Sequence, residues 1–447
     1  MIAENATQFV GSMSGESRDI VMGFDFGTSA SKVVLQDPST RRAFAIPFDA
    51  VKQGVLSYLL PTSVDVAPAG RIRLGGSGMH TADLKIRLMD AASTKNAVAL
   101  HRARALCAAY IALAIRCARL WFLQHHVDAY GQLRLKWWLN LGVPTSSYDD
   151  KTTLSAFEIV ARAAWRLSVD DGEIVEAAAS ACIRKSESTS FDSGLPPEQI
   201  NVYPEVAAEI SGYAKSDTRQ KGLHLLVDVG ASTLDCSTFI IYDNGAENAY
   251  AFLQVSVEKS GVYFLHRHRI AGIAEYVRAK VDPFDQVSPI PEHCSDLLPS
   301  EAVLASIDEL FRETAAGPIR HVVMETKKCR APAEAQFRLE RPAPIPVFIC
   351  GGGSKLGLYR DLIAGTEKQL RNSGVRMGPY RVIPLVKPEA LAADTIADAD
   401  YHRLAVAYGL SFHYFDLSRV TPPSHIEDQE PSRKVKEVSE IVSKDQV

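Results

Sequence analysis

Asp25, Gly27, Thr28 and Ser29 stand within one short stretch, GFDFGTSAS at 23–31, and Asp228, Gly230, Ala231, Ser232 and Thr233 follow the same order in LVDVGAST at 226–233. Glycine admits backbone conformations that other residues resist, so the amides that follow it can converge on one point and bind an anion. A carboxylate closing an apolar strand is costly unless a cation meets it, and hydrated Mg²⁺ is the economical candidate for Asp25 and Asp228. One acidic glycine turn alone reads as a capped β-turn. Two of them, facing each other, would hold the β- and γ-phosphates of a nucleotide, and positioning with charge neutralisation is most of what phosphoryl transfer requires. A third element, CGGGSKLG at 350–357, offers bare backbone at Gly351, Gly352 and Gly353 for a flat ring and ribose. The chain has no G-x-x-x-x-G-K-[ST], and CGGGSKLG lacks dinucleotide spacing, so neither a P-loop nor a dinucleotide fingerprint accounts for these glycines.

The elements that position these residues can be read from the apolar runs. Three short β-rich runs from Ile20 to Phe48 predict an antiparallel meander. Helical patterns cover 91–127 and 152–168, separated by LRLKWWLNLGVP, a strand ending at Pro144 with Trp137 and Trp138 in the core. A helix is expected after Pro204, a second series of strands from LHLLVDV, and a strand at IPVFIC, 345–350, that enters the glycines before another helix. Residues 20–36 and 223–242 then form two copies of strand, acidic turn, strand, which indicates duplicated lobes. HRHR at 266–269 alternates as a strand would, and His266 and His268 are expected on a solvated face. His125 and His126 close a helix, where partial positive charge suits the dipole.

Composition bounds the partners. The 447 residues suffice for two domains with their own cores. A net charge of −4 supplies no basic field for a phosphate backbone, so nucleic acid is not an expected partner. Seven scattered cysteines without a CxxC pair suit reduced thiols of a cytoplasmic protein, and no secretory signal is visible in the first residues. The apolar stretch 105–123 is interrupted by Arg116 and Arg119 and reads as a buried helix rather than a membrane span. Residues 1–18 and 417–447 are expected to be a flexible N-terminal and a disordered C-terminal tail.

Taken in order, five stretches resemble the blocks of the superfamily that unites actins, the seventy-kilodalton heat-shock chaperones and sugar kinases. DFGTSASK resembles the first phosphate block, YPEVAAEISGY (203–213) the first connecting helix, and VDVGASTLD the second phosphate block. ICGGGSKLGLYRDLI (349–363) resembles the adenosine block and LAVAYGLS (404–411) the second connecting helix. Residues 59–78 and TADLKIRLMDA place the chain nearest the chaperone ATPases, as does AVAYG. The resemblance implies an α/β, two-lobed actin-like ATPase fold of duplicated ribonuclease-H-like domains with a nucleotide cleft between the lobes. Lobe I would be 19–218, completed by 397–416, and lobe II 219–396.

Carried over by position, the resemblance implies ATP or ADP with Mg²⁺ and slow ATP hydrolysis. Lys85 and Glu205 would position the attacking water, Asp25 and Asp228 would hold magnesium through waters, and Thr28 and Thr233 would touch phosphate or nucleophile. Gly27, Ser29, Gly230, Ala231 and Ser232 complete the phosphate turns, and Gly352, Gly353, Ser354, Glu325 and Lys328 are the implied nucleoside contacts. Four departures stand out. Gly230-Ala231-Ser232 replaces three glycines; Lys355 and Leu356 follow Ser354 where an arginine is expected; Arg403 stands near the position of an acid, with Asp398 or Asp400 as substitutes; and the segment after Ser411 does not resemble the linker to a peptide-binding domain. The implied function is a nucleotide-driven conformational switch on a partner protein, met through lobe II around 258–318 or through the C-terminal tail, with no membrane. The alternatives are a filament-forming actin-like protein, whose cleft times self-assembly, and a small-molecule kinase.

Overall fold

The computed structural model describes residues 16–427 apart from 77, 95, 171, 245–246, 274–300 and 331–343. The strands of the first half are β1 (Ser17–Asp25), β2 (Ala30–Asp37), β3 (Arg42–Ala45), β4 (Leu60–Pro61), β5 (Val64–Val66), β6 (Ile72–Arg73), β7 (Met79–Thr81), β8 (Arg134–Val143) and β9 (Ile200–Pro204). Those of the second are β10 (Gly222–Val229), β11 (Leu234–Asn244), β12 (Glu247–Glu258), β13 (Ile345–Cys350), β14 (Tyr380–Val382), β15 (Leu391–Ala392) and β16 (Arg419–Thr421). The class is mixed α/β.

The expected meander forms, with β1, β2 and β3 antiparallel and β8 adding parallel to β1. β10, β11 and β12 repeat it, with β13 parallel to β10. The larger sheets run β15-β3-β2-β1-β8-β9, with β4 on β2, and β16-β12-β11-β10-β13-β14. Read side by side, each strand of one has a counterpart of the same relative direction in the other, out to the parallel edge strands β15 and β16. The central strands are buried throughout their inner residues, which is why they are apolar runs that end abruptly in a charged turn. A small sheet, β6-β5-β7, leads into the helix Leu84–Ser93 that carries Lys85.

Two short helices lie where the sheets meet. Glu205–Glu209 follows β9, and Ala405–Leu410 packs across it so closely that a Cβ on Gly409 would stand 1.8 Å from the Ala208 carbonyl oxygen. Asn140 of β8 fixes the end of the second helix by donating to the Leu410 and Phe412 carbonyls at 2.8 and 2.9 Å. The helical pattern expected over 91–127 is divided: Leu84–Ser93 ends, and Asn96 caps Ala97–His125 by accepting from the Ala99 amide at 3.1 Å. That second helix is long and apolar enough to cross a membrane, but 94% of its most apolar window is buried inside the protein. Arg116 is accommodated there by donating to the carbonyls of Leu167, Asp170 and Gly172.

Four expectations are corrected. HRHR lies in the helix Val262–Ile273, not in a strand; His266 is 2% exposed, and Arg269 is clamped to Asp308 at 2.6 and 2.7 Å. Alternation over four residues is too short to separate a period of 2 from one of 3.6. The C-terminal tail does not start at 417: Arg419–Thr421 satisfies the edge of β12, and Ser424 bonds Asp149. At the other end, Ser17 and Arg18 are already strand, paired beside Arg134 and Leu135. The chain rejoins the first sheet at β15, before the expected position 397, because Leu391 and Ala392 pair with β3. Residues 1–15, 428–447 and Cys294, and the stretch 274–300 of the expected partner surface, lie outside the described residues.

Candidate functional site

The two acidic turns open onto one cavity of about 700 Å³. Its lining includes Asp25, Gly27, Thr28, Ser29, Lys85 and Glu205 from the first half of the chain. From the second come Asp228, Gly230, Ala231, Ser232, Thr233, Gly352 and Gly353. Three expected contacts are elsewhere. Glu325 and Lys328, at the end of the helix Glu301–Thr326, pair with each other at 2.7 and 2.8 Å on the surface. Ser354 is buried with its hydroxyl 3.2 Å from His402 Nε2, so it closes a seam beside the cavity instead of lining it.

Each turn is held by its carbonyls. In the second, the Gly230, Ala231 and Ser232 carbonyls accept from the amides of Val262, Tyr263 and Gly261 at 2.7–3.1 Å, at the start of the helix Val262–Ile273. Carbonyl and following amide point oppositely in a trans peptide, so the amides of Ala231, Ser232 and Thr233 are turned away from that helix. Thr62 does the equivalent for the first turn: its amide donates to the Ser29 carbonyl at 3.0 Å and its hydroxyl to the Gly27 carbonyl at 2.7 Å. The amides of Thr28 and Ala30 are thereby aimed the other way. Both turns are thus arranged to offer N–H groups to an anion.

Charge is concentrated between them. Lys85 Nζ donates to both Glu205 carboxylate oxygens at 2.6 and 2.8 Å, and Lys32 Nζ donates to Asp25 at 2.8 Å. Burial pulls the Lys85 ammonium down, but Glu205 and the further negative charges of Asp25 and Asp235 overcome it and hold it above its ordinary value. Burial pushes Glu209 well up, reinforced by Asp228, and Asp235 rises to about 7 for the same two reasons. Asp228 faces Asp235 across the hairpin and Cys350 on β13, and its carboxyl is also raised, burial first. Gly351, at φ 78°, makes room for it: a Cβ there would stand 2.1 Å from Asp228 Oδ1.

Oδ1 of Asp228 and Oδ1 of Asp235 are buried without a hydrogen-bond partner among the described residues, so each has acceptor capacity that a water or a cation could use. Among the described residues no three His, Cys, Asp or Glu side chains form a cluster that could grip a bare ion. If a divalent ion binds here, Asp25 and Asp228 are the carboxylates that would hold it, and two carboxylates leave most of its coordination to water and ligand.

Four lining residues were not foreseen as participants: Lys32, Glu209, Asp235 and Arg403. The first three carried a signal. Lys32 and Asp235 each follow their turn's acid by seven residues and face it across the hairpin, and Glu209 stands one helical turn after Glu205. Thr62 carried none, since it reaches the turn from a separate loop. No protein-family model matches the chain, and comparison with curated proteins finds no match.

Proposed function

We propose that the chain is a magnesium-dependent, slowly hydrolysing ATPase with a two-lobed actin-like fold, in which the nucleotide state sets how the lobes close and a partner protein reads the result. The observation that carries this reading is the repetition of one strand order in two sheets, each delivering an acid, a glycine and hydroxyls to the same cavity. In this reading the turn amides of Thr28, Ala30, Ala231, Ser232 and Thr233 bind the phosphate chain, and Thr233 and Glu205 orient the attacking water. Lys85, kept charged by Glu205, stabilises charge that develops on the γ-phosphate. Mg²⁺, held through waters by Asp25 and Asp228, would neutralise phosphate charge and relieve the unpartnered Asp228. The two short helices crossing at Gly409 and Ala208 supply a contact about which the lobes can rotate, as in hinge closure around a ligand.

Calorimetry with ATP in Mg²⁺ and in EDTA tests the proposal. The expected result is affinity on the order of micromolar with the metal and at least about tenfold weaker without it. Absence of ATP binding in both conditions would remove the reading. Nucleotide-dependent light scattering of the bound protein separates a switch, which stays dispersed, from a filament.

A further inference from the structure

We propose that Arg403 is a phosphate-binding residue of the cavity, supplying from the protein itself a forked cation to the phosphate chain of the nucleotide. The inference rests on the nucleotide reading above and adds a ligand to it. Arg403 ends the 3₁₀ turn Asp398–Arg403 and lines the cavity, yet among the described residues it makes no ion pair and no side-chain hydrogen bond. Three other cations of the lining are held in ion pairs, Lys32 with Asp25, Lys85 with Glu205 and Lys355 with Asp400, and Arg267 lies over the Phe264 ring. The guanidinium lies against Gly352, where a Cβ would stand 3.2 Å from Cζ and from Nη1. Consecutive glycines thus seat two groups of opposite charge that do not pair, Asp228, whose Oδ1 is buried without a hydrogen-bond partner, against Gly351 and Arg403 against Gly352.

A half-buried guanidinium whose N–H donors find no acceptor among the described residues loses hydration that the surrounding carboxylates only partly offset. Burial accordingly weakens its hold on the proton, against the distant pull of Asp400, Asp228 and Asp25. An oxyanion in the cavity supplies the missing acceptors, and a phosphate chain suits the fork because two adjacent oxygens can each accept from it. Arg403 lines the same cavity as the second turn, so the phosphate chain can draw donors from both.

The experiment measures ATP, adenosine and inorganic tripolyphosphate, each with Mg²⁺, by calorimetry on the full chain, comparing wild type with Arg403→Lys and Arg403→Gln. ATP affinity is expected to fall about thirtyfold in Arg403→Gln and about threefold in Arg403→Lys, the size of losing a charge-assisted forked contact or only its fork. Adenosine affinity should not change, and the melting temperature of both variants should equal or exceed that of wild type, because the residue holds no partner in the free protein. An ATP affinity in Arg403→Gln within about threefold of wild type overturns the assignment, as does an equal loss for adenosine or a lowered melting temperature in both variants. Failure of wild type to bind any phosphate compound overturns the nucleotide reading and this one together. Tripolyphosphate binding as tight as ATP, lost in Arg403→Gln, overturns the nucleotide reading while retaining Arg403 as the phosphate ligand.

Discussion

At the scale of single residues, the Lys85–Glu205 pair has the sharpest consequences. Both groups are largely withdrawn from water, and the ammonium meets both carboxylate oxygens; removal of Lys85 leaves the Glu205 carboxylate among the like charges of Asp25 and Asp228, and removal of Glu205 leaves the ammonium with only Asp25 and Asp235 to draw it. Neither supplies a turn amide, so nucleotide grip should survive where chemistry does not. Lys85→Ala and Glu205→Ala are each expected to lower phosphate release about a hundredfold, roughly 2.7 kcal/mol of transition-state stabilisation, with ATP affinity nearly unchanged. Because the two act as a unit, the double variant should be little worse than either single one. Wild-type turnover in Lys85→Ala would break the proposed mechanism at its centre. In the sequence these two residues stood out only through the resemblance of the stretches that hold them, TADLKIRLMDA and YPEVAAEISGY, and nothing in either stretch alone says that the two side chains meet. Glu325 and Lys328 fall outside the cavity lining, and a motif three residues apart at a helix end is equally well explained by the two side chains pairing with each other.

Among elements, the two phosphate turns differ in what pins them. The second is locked by the first amides of an adjoining helix, whereas the first depends on Thr62, whose hydroxyl donates to the Gly27 carbonyl and also contacts Ser31. Thr62→Val keeps the shape and the backbone bond to Ser29, but strands the Gly27 carbonyl. The expected cost is about 1–2 kcal/mol in urea unfolding, with a matching loss of ATP affinity because the Thr28 amide is no longer aimed. Unchanged unfolding and binding would show that the turn orients itself. The strands leading into both turns were readable from their apolar runs, since buried central strands leave a continuous hydrophobic trace. What could not be read was contact between distant segments: Thr62 on the turn, β15 on β3, and Arg419–Thr421 on β12 all depend on an edge or a carbonyl that only the folded chain supplies. For HRHR the local pattern was ambiguous, and the Arg269–Asp308 clamp that decides its burial comes from another helix.

For the molecule as a whole, joining two sheets around a charged cavity makes stability depend on pH, and the sign follows from the groups involved. Burial, then Asp228, raises Asp235 from 3.8 to about 7 and raises Glu209 well above 4.5, so the native state keeps these protons where the unfolded chain releases them. Their stabilisation is complete below the unfolded pKa and is lost as pH rises through the native one. His224 and His402 act oppositely: burial lowers each from 6.5 to about 4, so their contribution grows with pH up to about 6.5 and is then constant. The two sets offset one another in acid. Above about pH 6.5 the histidines no longer contribute, and stability should fall by up to about 1.4 kcal/mol per pH unit for each carboxyl that the native state keeps protonated, with the buried thiols adding to the fall only toward the top of the range. Urea unfolding in EDTA at pH 6.5, 7.5 and 8.5 should therefore give a falling midpoint, and Asp235→Asn with Glu209→Gln should flatten it by removing both titrations. ATP with Mg²⁺ should flatten it in wild type as well, because the bound charges favour the ionised carboxylates that the empty cavity disfavours. A wild-type midpoint that stays level or rises over this range would mean that water or other cations already compensate Asp235 and Glu209, and that the cavity is not held under electrostatic load in its free state.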